Sequence, residues 1–89
     1  MNAIITVVGN DRVGIIAGIC VKLAEYNVNV LDISQTILQG SFTMVMAVDV
    51  AKANVPFAQI AQGLKELGQE MKLSIHIQRE EIFDAMHNI

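Results

Sequence analysis

The sequence predicts an α+β sandwich in which two β-α-β halves share one antiparallel sheet. Three observations predict it. Short runs rich in β-branched residues occur at four places along the chain. Stretches of helical period separate the first run from the second and the third from the fourth. A turn signal, Gln39-Gly40-Ser41, joins the middle two runs. Two βαβ halves with a hairpin between them make the ferredoxin-like βαββαβ plan. Right-handed crossovers then give the strand order 4-1-3-2 with both helices on one face.

The first strand is Ala3–Val8, ending at Gly9-Asn10-Asp11, with Asp11 a candidate N-cap of the first helix. From Gly14 the period changes: Ile16, Ile19/Cys20 and Leu23 recur every three or four residues, opposite Lys22 and Glu25, which reads as an amphipathic helix stopping near Asn27. Val28–Leu38 is a long second strand, and Phe42–Val50 the third, where Met44 and Met46 read as packing residues. Asn54-Val55-Pro56 opens a second helix, since proline suits a first helical turn. Its apolar stripe is Phe57, Ile60/Ala61, Leu64, Leu67 and Met71. In Leu73–Gln78 the apolar Leu73, Ile75 and Ile77 alternate with Ser74, His76 and Gln78, the pattern of a half-buried strand. Residues 79–89 form a C-terminal helical extension, with Ile82, Phe83, Met86 and Ile89 expected to pack on a sheet, their own or a neighbour's.

A chain of 89 residues is one domain, 1–89. It is 53% hydrophobic, above the usual level of about 45–50%. A chain this small buries only about 60–65% of its unfolded surface. The apolar surplus therefore implies self-association into a homodimer or larger symmetric oligomer. Strand two lies at an edge in the predicted order. Val28, Val30, Leu31, Ile33 and Ile37 give it apolar side chains expected on both faces, which makes it a pairing template.

The net charge of −3 speaks against nucleic acid and gives no reason to expect an anionic membrane surface as a partner. An RNA-binding sheet would need aromatics on central strands, where only Phe42 is available. One cysteine, Cys20, excludes an intrachain disulfide and a CxxC metal site and reads as a small buried hydrophobe. His76 and His87 stand in no metal-ligand spacing, so neither a metal nor a cofactor is expected. The chain opens on an apolar run without a basic n-region, so a signal peptide is not expected and the protein reads as cytoplasmic.

Chemistry concentrates in Gly9-Asn10-Asp11-Arg12-Val13-Gly14. Backbone N–H groups at a helix start carry partial positive charge and hold carboxylates, and Gly14 permits close approach. The same spacing also suits an ordinary strand–helix turn. Asp32 and Asp49 interrupt apolar strands and read as edge or strand-end residues, with a ligand role left open.

The loop continues into Ile15-Ile16-Ala17, then Leu23-Ala24-Glu25-Tyr26-Asn27-Val28-Asn29-Val30 and Leu31-Asp32-Ile33-Ser34-Gln35. This series resembles the ACT domain signature, in which a D-R-P-G-[LIV]-[LIV] loop leads a helix and G-[IV]-N-[IV] opens strand two. It is most similar to stand-alone ACT proteins related to the glycine cleavage repressor. Val13 replaces the usual proline and Asn27 a common glycine. The resemblance implies a regulatory module that senses an amino acid or similar small molecule at a dimer interface and catalyses nothing. By motif position it implies a site formed by Asn10, Asp11, Gly14 and Ile15 of one chain with Asn29 and Val30 of its partner.

Two other classes compete. A dimerisation or partner-docking module needs the fold but no ligand. Acylphosphatase-like enzymes share the fold plan and use an arginine in the first loop, where Arg12 stands. No convergent base, nucleophile or basic cradle accompanies it.

Overall fold

The computed structural model describes residues 1–87. In chain order the elements are β1 (Asn2–Asn10), α1 (Ile15–Glu25), β2 (Asn29–Leu38), β3 (Ser41–Asp49), α2 (Phe57–Met71), β4 (Leu73–Arg79) and α3 (Glu80–His87). The four strands form one antiparallel sheet in the order β2-β3-β1-β4, the predicted 4-1-3-2 read from the other edge. No helix of the described residues is long and apolar enough to cross a membrane.

The core lies between the sheet and the α1/α2 layer. Ala3, Ile5 and Val7 of β1, Phe42, Met44, Met46 and Val48 of β3, and Leu73 and Ile75 of β4 are buried there. From α2 come Ile60 and Leu64, as the stripe predicts, with Phe57, Leu67 and Met71 packed at its margin. In α1 the buried residues are Ile15, Ile19 and Leu23. Ile16 and Cys20, expected on that face, are half-buried at its flank.

Local chemistry explains the boundaries. The N-cap of α1 is Gly14, in the left-handed region at φ 93°, not Asp11, and no side chain caps this end. Asp11 instead donates its backbone N–H to the Gly40 carbonyl (2.8 Å), tying the loop to the β2–β3 turn. That turn has positive φ at both Gln39 and Gly40, the twist a two-residue hairpin requires. After α1, Asn27 takes φ 58°, a conformation open to glycine and asparagine at low cost. Its substitution for the family glycine is therefore conservative in backbone terms. Its amide donates to the Lys52 carbonyl (2.8 Å), and Asn54 Nδ2 donates to the Glu25 carbonyl (2.9 Å). Pro56 is the N-cap of α2 rather than a residue of its first turn.

Strand β2 carries no buried residue over its ten positions. A bulge at Leu31 shifts its register against β3, so Val30 pairs with Val48 while Ile33 pairs with Met46 and Ile37 with Phe42. The extra residue switches side-chain parity. Val30, Ile33 and Ile37 therefore share the helix-side face, where strict alternation would have divided them between both faces. The helices do not cover this edge: Ile33 stays 39% and Ile37 54% exposed.

Helix α3 contacts β1 and β4 of its own chain. Phe83 is half-buried, Ile82 and Met86 remain exposed, and Gln78 Nε2 donates to the Met86 sulfur (3.4 Å). Ile89, the fourth residue expected in this contact, lies outside the described residues.

Two helical glycines give opposite expectations. A Cβ at Gly68 would lie 2.7 Å from the Leu73 carbonyl oxygen, a backbone atom, and 3.3 Å from Ile75 Cγ1. A Cβ at Gly18 would meet only the Met71 thioether end at 3.4 Å. Gly68→Ala is expected to cost about 1–3 kcal/mol by overpacking. Gly18→Ala is expected to gain about 0.5–1 kcal/mol from helix propensity. Urea midpoints that move in the same direction for both variants would contradict this packing.

Candidate functional site

The residues implicated by sequence fall into two groups at opposite ends of the sheet. Asn10 ends β1 opposite Ser41, which pairs in turn with Leu38. At the other end Asn29 pairs with Asp49, which pairs with Asn2. Eight steps of β1 separate these ends, about 26 Å at the rise of an extended strand. Within one chain the two groups do not meet.

At the loop end, Asp11, Arg12 and Gly14–Ala17 line a cavity of about 250 Å³ with Gln35 and Ile37 of β2 and Phe42 of β3. Gly14 places the first turn of α1 on this cavity, and a Cβ there would meet nothing within 4 Å. No acidic residue stands in the first turn, so the N-terminal N–H groups keep their attraction for an anion. Ile15 is only 2% exposed and belongs mainly to the core, although part of its surface reaches the cavity. Asn10 is not among the lining residues. Val13, where the family places proline, is 99% exposed. Arg12 Nη1 donates to the Met71 carbonyl (3.4 Å) at the C-terminus of α2, a position that complements the helix dipole. The guanidinium thus braces the loop against α2.

At the opposite end, a cavity of about 370 Å³ is lined by Ala24, Asn27, Val28, Asn29, Asp49 and Lys52. It combines a carboxylate, an ammonium and the Asn29 amide, a set able to match a zwitterion. The Asn27–Lys52 hydrogen bond holds its two walls together. Asp49 also accepts the Ala51 N–H (2.9 Å), and Asp32, beside the bulge, accepts the Ile33 N–H (2.9 Å). Val30 faces the helix layer opposite Val48 and lines neither of these two cavities.

Sequence reasoning alone missed Gln35, Ile37 and Phe42 at the first cavity and Lys52 at the second, and left the part of Asp49 open. Each arrives through strand register or a loop return, and neither leaves a local motif. His76 Nε2 lies 3.0 Å from Ser74 Oγ on exposed β4 surface. No group of three His, Cys, Asp or Glu residues converges among the described residues.

Comparison with known proteins agrees with this architecture. The family model described as an ACT domain matches residues 2–78. A UPF0237 protein of Listeria innocua is 49% identical over 89 residues, covering 100% of both chains. The solved structure of an ACT domain protein from Streptococcus pneumoniae is 42% identical with a TM-score of 0.81, covering 94% of each chain. A structure assigned as a glycine cleavage system transcriptional repressor is 25% identical with a TM-score of 0.74, covering 88% of this chain and 44% of that one. With its loop, strand order and near-complete coverage in agreement, the chain belongs to the ACT domain family.

Proposed function

We propose that this chain is a cytoplasmic, non-catalytic sensor that binds an amino acid or similar small metabolite between two copies of itself. The observation that carries the reading is the separation of the two half-sites along an open β2 edge. A second copy running antiparallel along that edge sets Asn29 of one chain near Gln35, Ile37 and the Gly14 loop of the other. Each dimer then has two equivalent composite sites, as two-fold symmetry requires. The ligand carboxylate lies at the N–H groups opening α1, and the Asn29 amide and Asp49 carboxylate of the partner serve its amino end. The likeness to a glycine cleavage repressor, a regulator by name, supports the same class.

A thermal-shift screen against the twenty amino acids tests this. A ligand that binds only the native state raises stability by about 2.7 kcal/mol at a hundredfold excess over Kd. One or a few amino acids are expected to raise Tm. If none does, while the chain still assembles through β2, the docking-module reading replaces the sensor.

A further inference from the structure

We propose that the open edge of β4 takes up an extended segment of a partner protein, acidic residues flanking a short apolar one, as an added strand of the sheet. Among the described residues β4 pairs with β1 alone and ends the sheet on the side opposite β2. Hydrogen bonds at the two ends of β1 set which backbone groups face outward. Val50 donates its N–H to the Met1 carbonyl (2.9 Å), and Asp11 donates to the Gly40 carbonyl (2.8 Å). Odd-numbered residues of β1 therefore bond toward β3 and even-numbered ones toward β4. Thr6 pairs with His76 and Ile4 with Gln78, so His76 and Gln78 bond to β1. Ile75 and Ile77 turn their N–H and C=O groups to the open edge. The register against β1 is unbroken and β4 contains no proline, so neither a bulge nor a missing N–H blunts this edge.

A cleft runs along the same edge. Helix α2 lies antiparallel to β4. Gly68 sits against Leu73 and Ile75 at one end, and Arg79 stacks over the Phe57 ring at 5.4 Å at the other. Between these contacts Ala61, Lys65, Ile75, His76 and Ile77 line a cavity of about 260 Å³. Ile75 and Ile77 face the helix layer and His76 the other side of the sheet. A cavity that touches all three opens at the margin of the strand. Because Gly68 closes the Leu73 end, the accessible stretch of edge centres on Ile77.

Charge identifies the occupant. Lys65 is exposed, and its helix neighbours at three and four residues, Ala61, Gln62, Gly68 and Gln69, are uncharged. Glu66 and Glu70 lie on the other flank of α2 with Gly63, which meets Tyr26 beyond α1. Lys72, in the turn into β4, is exposed too. Among the described residues neither lysine makes an ion pair, and no acidic residue lines the cleft. In an added strand the side chains opposite Ile75 and Ile77 turn to the helix layer. The one opposite Ile77 meets Ala61, where a short apolar group fits. The one opposite Ile75 lies beside Lys65 and favours a carboxylate, as does a residue farther on toward Lys72. A second copy does not suit this edge, because antiparallel pairing of two β4 strands about Ile77 sets Lys65 beside Arg79 of the other copy, cation against cation. The docking uses neither the β2 edge nor the composite site, so it does not depend on the sensor reading, and pairing through β2 leaves it open.

The probe is a fluorescein-labelled peptide, Glu-Thr-Glu-Thr-Val-Thr-Glu-Thr-Glu, which reads alike in both directions and so suits either strand polarity. Its counterpart has Lys in place of every Glu. Anisotropy with the full chain is expected to show saturable binding of the glutamate peptide and none of the lysine peptide. Lys65→Glu, at an exposed helix position, is expected to raise Kd about tenfold or more, with circular dichroism showing an unchanged fold. Charge attraction alone would produce both results, so amide hydrogen exchange by NMR supplies the backbone readout. At saturation the Ile77 N–H gains a partner, and its exchange is expected to slow about tenfold. No binding of the glutamate peptide, equal binding of the lysine peptide, an unchanged Kd for Lys65→Glu, or unchanged Ile77 exchange at saturation would each overturn the proposal.

Discussion

Replacing Leu64 with alanine is expected to lower the free energy of unfolding by about 2–5 kcal/mol, the range for removing a fully buried leucine. Leu64 is 0% exposed, on the face of α2 that covers the sheet, among Ile60, Ile5 and Ile75 of the same core. The loss has two parts: the transfer free energy of the removed atoms, and the cavity left where helix and sheet cannot close fully. Small domains have a total stability of about 5–15 kcal/mol, so the change approaches half of it. Each kcal/mol moves Tm by about 4–8 °C at this size. Val21→Ala provides the contrast, because Val21 is 61% exposed on α1 and exposed positions usually stay within about 0.5 kcal/mol. Calorimetry at one fixed protein concentration compares the two. A Leu64→Ala loss below about 1 kcal/mol would contradict this core.

Asn29→Ala is expected to weaken ligand binding by about 1–3 kcal/mol, the cost of leaving a buried polar partner unmatched. That is about a 5- to 150-fold rise in Kd. Assembly should be unchanged, because edge pairing uses backbone groups and Asn29 lies at the end of β2. Gly14→Val acts at the other half-site. The free protein has room for the added atoms, since nothing lies within 4 Å of a Cβ there. The backbone at φ 93° still resists a β-branched residue, at about 1–2 kcal/mol of stability. Binding should fall further than that strain alone explains, because the new methyls occupy the ligand's approach to the α1 N–H groups. Titration calorimetry with an amino acid that passes the thermal-shift screen reads both variants. An unaltered Kd for Asn29→Ala at unchanged mass would remove the composite site.

The parts of this protein legible in sequence are those encoded by local periodicity and turn chemistry. Ile60 and Leu64 announce the buried stripe of α2, alternation in Leu73–Gln78 marks β4, and Gly40 marks the hairpin. The four-strand order follows from these elements and crossover handedness. Asn29 and Gly14 are likewise visible as motif positions.

Contacts that join distant segments were decided only by the tertiary structure. The left-handed Gly14 sets the start of α1 so that Ile15, not Ile16, enters the core. The Asp11–Gly40 and Arg12–Met71 hydrogen bonds fix the loop through partners 29 and 59 residues away. One extra residue at Leu31 turns Ile33 and Ile37 to the same side as Val30 and brings Gln35, Ile37 and Phe42 onto the loop cavity. The physical reason is common to all three. A side chain's inward or outward preference is written in its neighbours at two or three to four residues, whereas its contact partners depend on register, which a single bulge resets without changing composition or period.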